Sequence, residues 1–383
     1  MTLCLKSFLV ALATCAAICL NSLSAFAATA PHYLITNNDA SFGNSATFYA
    51  IDGGTLSQAA IVNTGGTGND GIGSVATKRI SILRSHSQSC AFVGDAGSGD
   101  VAGITIPALA ASGTFKGSST DNGLRAGIGV VNNGAYVYAS FTGSGTIGTY
   151  QVLAGCKLKF LADTAAVGLA AGPVLDMAAT RNLLVVSFQD GSIESFNISA
   201  GIAVANGDLQ YSTGHGQNNF VAGLDIDASG HYAAFGGTAN PAVIEVSDIS
   251  SGKLTPTVVY SNLGSNTGSE AVWFSPDDSH LYFSGFNSGV LSAANFDKTT
   301  GVVSNGCTSA TLKGGNDQAG LATALPSGSG GVLYVAEPET SIGIVRIVAN
   351  GSTCQLVESS KSPVHDGKTI TLESVGVYPP RPF

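Results

Sequence analysis

Charge is scarce in this chain: only 11% of its 383 residues are Asp, Glu, Lys or Arg. The few polar groups that stand at the start of apolar segments are therefore the first candidates for chemistry. Lys78 and Arg79 precede "ISILRS", and Arg125 precedes "GIGVVNN". His215 and Asn219 come before "AGLDIDAS", and Glu270 abuts "AVWFSPDD". Asp317 and Gln318 precede "GLATALPS", and Glu373 opens "ESVGVYPP". If the fold gathers these segments around one opening, the cations fall on one side of it and most of the acids on the other. Lys78, Arg79, Arg125, Asn219, Asp317 and Gln318 would then bind a small anionic molecule. Arg125 would grip its carboxylate or phosphate through a forked pair of hydrogen bonds. Glu270, Glu373 or His215 would be placed to activate water against a carbonyl. A histidine moves its proton near neutral pH, and a carboxylate in a partly dry channel can be tuned upward. Against this stands the ordinary reading, in which these are solvated loop residues.

What would position them is legible as a repeat. Few charges and 50 glycines disfavour exposed helices and suit short strands joined by tight turns. The stretch "HLYFSGF" at 280–286 has echoes in "CAFVGDA" from Cys90, "AYVYASF" from Ala135, "LLVVSFQ" from Leu183, "HYAAFGG" from His231 and "VLYVAEP" from Val332. A seventh copy, "HYLITNN", begins at His32. The step from Cys90 to Ala135 is 45 residues, and later steps run from 48 to 52. Every copy but the seventh follows another apolar segment and a polar turn. Hairpins with recurrent glycine turns, such as "YAIDGGTLS" at 49–57 and "NFDKTTGVV" at 295–303, follow several copies. Four strands in a unit near fifty residues make a propeller blade. The sequence thus predicts an all-β fold, a single seven-bladed β-propeller with four antiparallel strands per blade. In blade two, "GSVATKR" competes with "ISILRS" for the inner strand. The N-terminal copy has no inner strand of its own, and "TLESVGVYPP" at 371–380 is predicted to supply it and close the ring.

On these residues a resemblance can be drawn. "FSPDDSHLYFSG", "VLYVAEP" and "NFDKTTGVVS" resemble the repeats of the seven-bladed lactonase-like propellers, which include bacterial 6-phosphogluconolactonases and the Tyr-Val-Thr-Asn repeat proteins. The likeness is strongest in blades six and seven. That family usually carries Gly where this chain has Asp278. The resemblance implies the propeller fold and a lactonase acting on an anionic sugar lactone. The residues alone favour a binding or scaffold module with its ligand site at the channel mouth, and both readings stay open. The single Trp and the missing Trp-Asp strand ends argue against WD40 repeats. No GxSxG is present to mark an α/β-hydrolase nucleophile.

The first residues look like a processing signal: Lys6, the apolar "FLVALATCAAICL", then "SAFA". The expected organisation is a signal peptide over 1–27 and the propeller domain over 28–383, in a secreted or periplasmic protein. Cys90, Cys156, Cys307 and Cys354 remain after cleavage and suggest two disulfides, with three pairings open. Cys90 with Cys156 and Cys307 with Cys354 is preferred, because each pair would join adjacent blades. A net charge of −9 without any basic run disfavours nucleic acid as a partner. The expected partners are a small anionic ligand, a glycan or an extracellular protein, with no membrane span in the mature chain and a monomeric state. No cofactor and no metal centre is expected. The loops "GTGNDG", "GDAGSGD" and "GGNDQ" nonetheless carry oxygens of the kind a hard cation such as Ca²⁺ accepts.

Overall fold

The second strand of each repeat decides the architecture. Leu183–Phe188 is apolar except for Ser187 and buried at every position, the mark of a strand covered on both faces. The outermost strands mix buried and open positions, as in Lys157–Ala165. A computed structural model describes residues 32–70, 78–85, 87–118, 128–165, 174–217, 219–237, 243–261, 268–269, 271–285, 288–314, 320–324, 331–337, 341–350, 353–365 and 374–380. They fall in one compact unit, His32–Phe383.

Seven antiparallel sheets follow one another around an axis. From the centre outward, blade two is Ile80–Arg84, Ser89–Asp95, Asp100–Thr105 and Ala110–Lys116. Blade three is Ile128–Asn132, Tyr136–Phe141, Thr146–Leu153 and Lys157–Ala165, and blade four is Val174–Ala179, Leu183–Phe188, Ser192–Ser199 and Ile202–Tyr211. Blade five comprises Gly223–Ile226, Tyr232–Gly236, Ile244–Asp248 and Thr255–Tyr260. Blade six comprises Val272–Phe274, His280–Ser284, Leu291–Asp297 and Val302–Thr308. Blade seven holds Gly320–Ala324, Val332–Glu337, Ser341–Asn350 and Thr353–Glu358, and the short Val364–His365 pairs with Ser341 and Ile342. "ISILRS", not "GSVATKR", thus supplies the inner strand of blade two.

Blade one is assembled from both parts of the chain. Val375–Tyr378 forms its inner strand against Tyr33–Asn37, with Tyr33 opposite Tyr378 and Thr36 opposite Val375. Ser45–Asp52 and Thr55–Asn63 complete it. This is the closure expected of "TLESVGVYPP".

Among the described residues the core is divided into seven apolar clusters, and each cluster is one interface between neighbouring blades. Phe92 of blade two packs with Val130 and Phe141 of blade three, for example, and Leu34 of blade one packs with Tyr334 of blade seven. Two of these interfaces are also covalent: Cys90–Cys156 joins blades two and three, and Cys307–Cys354 joins blades six and seven. Both pairs are the expected ones, with Cα atoms 5.6 and 5.8 Å apart.

Removal of residues 374–383 should leave the Tyr33–Asn37 edge unpaired and uncover Leu34 and its cluster. The truncated protein is expected to lose its single unfolding transition in urea and to associate on gel filtration. An unchanged midpoint would contradict this account of closure.

Candidate functional site

The inner strands enclose a central cavity of 590 Å³. Strands at the centre of a ring have a free edge on the axis, so their N–H and C=O groups must find partners other than a ladder. Polar side chains rooted in the inner strands supply them. Asp176, in blade four, accepts from the Leu224 N–H of blade five at 2.8 Å through Oδ2, while its Oδ1 takes the Met177 N–H at 2.7 Å. Asp225, in blade five, accepts from the Phe274 N–H of blade six at 2.9 Å. Asn132, in blade three, donates to Ser81 Oγ at 2.7 Å and to the Ile82 carbonyl at 3.1 Å in blade two. Each side chain reaches one blade across.

Lys78 lies over this girdle. Its Nζ is 3.7 Å from Asp176 Oδ2 and 3.6 Å from Asp225 Oδ1, and it donates to the Met177 carbonyl at 3.3 Å and to the Leu224 carbonyl. One ammonium therefore meets two carboxylates, both nearly buried, and two carbonyls. Such a group costs much to desolvate, and it is tolerated because every oxygen near it is an acceptor. From Lys78 the cavity runs to the turns that follow the inner strands. There Arg181 and Asn182 are exposed and Asn133 is half-buried, and these line the cavity together with Trp273, half-buried within the inner strand of blade six. The described rim is thus on the face opposite the incoming loops.

The residues singled out from sequence divide into three groups. Lys78 lines the cavity. Arg79 does not: its Nη1 lies 2.6 Å from Asp39 Oδ2, with both side chains 1% exposed. Its N–H donates to Ser374 Oγ at 3.0 Å, so Arg79 ties blade two to both parts of blade one. Adjacent residues of an extended segment point to opposite sides, and this sends Lys78 to the channel and Arg79 away from it.

His215 and Asn219 form the second group, in the loop between blades four and five, outside the cavity lining. His215 is 4% exposed, with Nδ1 2.8 Å from Ser212 Oγ and Nε2 3.2 Å from the Val243 carbonyl. Burial holds its imidazole below the ordinary value, against the opposing charge of Glu245. Glu245 accepts from Ser212 Oγ, Thr213 Oγ1 and the Gly214 N–H at 2.6, 3.1 and 2.7 Å. Asn219 Nδ2 donates to the His215 carbonyl at 2.7 Å. Here an acid holds a loop together. Arg125, Glu270, Asp317, Gln318 and Glu373 make up the third group and lie outside the described residues.

Sequence reasoning passed over Asp176 and Asp225. Their signal is present in "VLDMAAT" and "GLDIDAS", two inner strands with Asp at the same place in an apolar run. Asp277 and Asp278 hold the turn in blade six. Asp277 Oδ1 accepts from the Ser279 N–H at 3.1 Å. Asp278 adopts a left-handed φ of 55° and takes the Ala228 N–H of blade five at 3.0 Å through both oxygens. The left-handed backbone explains why a glycine suits this position and why an Asp that gains a bond is tolerated.

No protein-family model matches the sequence, and no curated protein matches it. Solved structures do. A candidate 6-phosphogluconolactonase from Bacteroides fragilis superposes with a TM-score of 0.67 at 14% identity, over 92% of this chain and 99% of that one. A protein from Lactobacillus plantarum gives 0.66 at 13% identity, over 91% and 99%. The periplasmic gluconolactonase of Pseudomonas aeruginosa gives 0.55 at 18% identity, over 74% and 83%. The chain has the fold of the seven-bladed lactonase-like propellers.

Asp176→Ala would strand the Leu224 N–H and remove one of the two carboxylates at Lys78. Breaking a buried pair of this kind should cost about 3 kcal/mol, read as a lower urea midpoint at unchanged slope. A loss below about 0.5 kcal/mol, the scatter of surface changes, would refute the bracing role.

Proposed function

We propose that the protein is an exported propeller that binds a small polyhydroxylated molecule, a sugar or sugar acid, in its central channel. The cavity carries this reading: 590 Å³ is the size of a small-molecule site, and donors and acceptors of both signs surround it. Lys78 with Asp176 and Asp225 gives its inner end fixed acceptors and one cation. Arg181 and Asn182 offer donors at the rim. Export is supported by the apolar, cleavable N-terminal stretch and by two disulfides, which persist in oxidising compartments. Among the described residues no helix is long and apolar enough to cross a membrane.

Trp273 is the single tryptophan of the chain and lines the cavity, so its fluorescence reports on occupancy. Titration with gluconate, 6-phosphogluconate and neutral hexoses should give a saturable change with at least one of them. Arg181→Ala should weaken the binding of an anionic member about tenfold. A flat response across the panel, repeated by equilibrium dialysis, would overturn the reading.

The second reading is a lactone hydrolase, favoured by the names of two of the similar structures. Glu270, Glu373 and Arg125 would be its machinery. Proton release from a panel of sugar lactones in weak buffer measures it directly. Turnover abolished by Glu270→Ala or Arg125→Ala, with the fold intact, is the outcome expected of an enzyme. A rate no greater than the buffer blank rejects this reading and leaves the binding module.

A further inference from the structure

The oxygen-rich stretches "GTGNDG" and "GDAGSGD" come together at the joint between blades one and two. The Gly97 N–H donates to the Thr67 carbonyl at 2.8 Å, and the Thr67 N–H donates to Ser98 Oγ at 2.9 Å. Beneath them lie two carboxyls, Asp95 at the end of one strand of blade two and Asp100 directly opposite at the start of the next. Asp95 is 0% exposed and Asp100 3%. Asp95 Oδ1 accepts from Asn44 Nδ2 at 2.7 Å and from Thr64 Oγ1 at 2.9 Å, both on blade one. Among the described residues no donor reaches Asp95 Oδ2 or Asp100 Oδ1. The two carboxyls nevertheless interact directly, and burial first, then the charge of Asp100, push the Asp95 carboxyl well above the usual carboxylate range.

Among the described residues no counter-charge is at hand. Of the charged groups on the elements packed around the pair, Arg79 is engaged with Asp39. Asp70 takes the Ser41 N–H at 2.8 Å. Lys116 sits opposite Asp100 in the next strand, but its side chain is exposed and makes no ion pair with it. Gly66 covers Asp95 so closely that a Cβ there would fall 2.4 Å from Oδ2. Among the described residues no group of three or more His, Cys, Asp or Glu could hold a metal ion. Two buried like charges without a cation cannot both be ionised cheaply.

We propose that Asp95 and Asp100 share one proton in the folded protein, so that the joint between blades one and two is a proton-held latch. The bridging proton supplies a hydrogen bond between the two carboxyls. Asp95 can then keep its grip on Asn44 and Thr64 without a second charge beside it. Loss of the proton puts two negative charges in one dry site and loosens the joint.

The pH dependence has a definite sign. The pair binds its proton more tightly folded than unfolded. Its stabilisation is therefore full below the unfolded value, near about pH 4, and declines as pH rises toward the folded value. Over that window the unfolding constant gains up to about tenfold per pH unit from this one proton.

The test is urea unfolding of the disulfide-intact chain from pH 4.5 to 8.5, beside Asp95→Asn and Asp100→Asn. An amide at either position donates to the remaining carboxylate and needs no proton. Each variant should show a shallower decline with pH than the wild type, and the double variant should flatten it no further. If Asn at 95 weakens the fold for packing reasons, the Asp100 variant still reads the slope. Equal slopes in wild type and both variants would overturn the proposal. So would a midpoint at pH 7.5 that rises with millimolar CaCl₂ in the wild type and not in the variants, since a cation would then bridge the pair.

Discussion

Seven sheets can form a ring only if each is held to the next without a backbone ladder between them. That constraint governs the rest of the molecule. Apolar side chains meet it at mid-height, where each interface is a separate cluster and the second strands are buried on both faces. An interface of this kind is strong but non-directional, and it does not fix how far one blade slides against another. The ring is closed by hydrogen bonds at one place, within blade one, where Val375–Tyr378 pairs with Tyr33–Asn37.

Direction comes from polar groups at the channel and at the incoming loops. At the channel, Asp176, Asp225 and Asn132 bond strand edges one blade away, and Lys78 draws the two carboxylates together. On the side of the incoming loops, buried acids of several blades hold the segment arriving from the blade before. Asp95 receives Thr64, and Glu245 receives Ser212, Thr213 and Gly214. Glu337 of blade seven receives Ser341 Oγ and lies hard against Gly314, and burial raises its carboxyl above the ordinary value. These acids differ in what they are given. Glu245 also takes Ser247 Oγ at 3.2 Å and so has four donors, whereas Asp95 has two and an acid beside it. On this side a buried acid thus serves as a fully bonded carboxylate on the third strand of blade five and as half of a carboxyl pair at the end of the second strand of blade two.

The ring was legible in the sequence because the second strands are continuous apolar runs at regular spacing, and "LLVVSF" and "HLYFSG" announce themselves without help from neighbours. The C-terminal strand was legible because one copy lacked an inner partner. Counting the blades favoured, among three pairings, the two disulfides that form. The site was read less well, and the reasons are physical. Lys78 and Arg79 are adjacent in sequence and were treated alike, yet the alternation of an extended segment sends them to opposite sides. His215 was weighed as a free base, but it is walled in by Ser212 and Val243. Asp176 and Asp225 were hidden inside apolar strands, where a lone acid reads as a surface position until the strand is known to line a channel. Where an acid replaces an aliphatic residue at the same place in two repeats, the fold itself asks for a partner.

The register of blade one has a further consequence. Tyr33 begins its strand directly opposite Tyr378, which ends the neighbouring one, so the two ends of the ring-forming chain lie side by side, as in a hairpin whose turn has been cut. A turn of two or three residues would span that gap, and the molecule would become a covalent circle with the same strands. The break could then be moved to any other turn. Placed between two blades instead of within one, it would leave all seven blades contiguous and take away the shared sheet that clasps the ring. The pairing of Tyr33–Asn37 with Val375–Tyr378 within one blade, not the composition of any blade, is what makes this a clasped propeller.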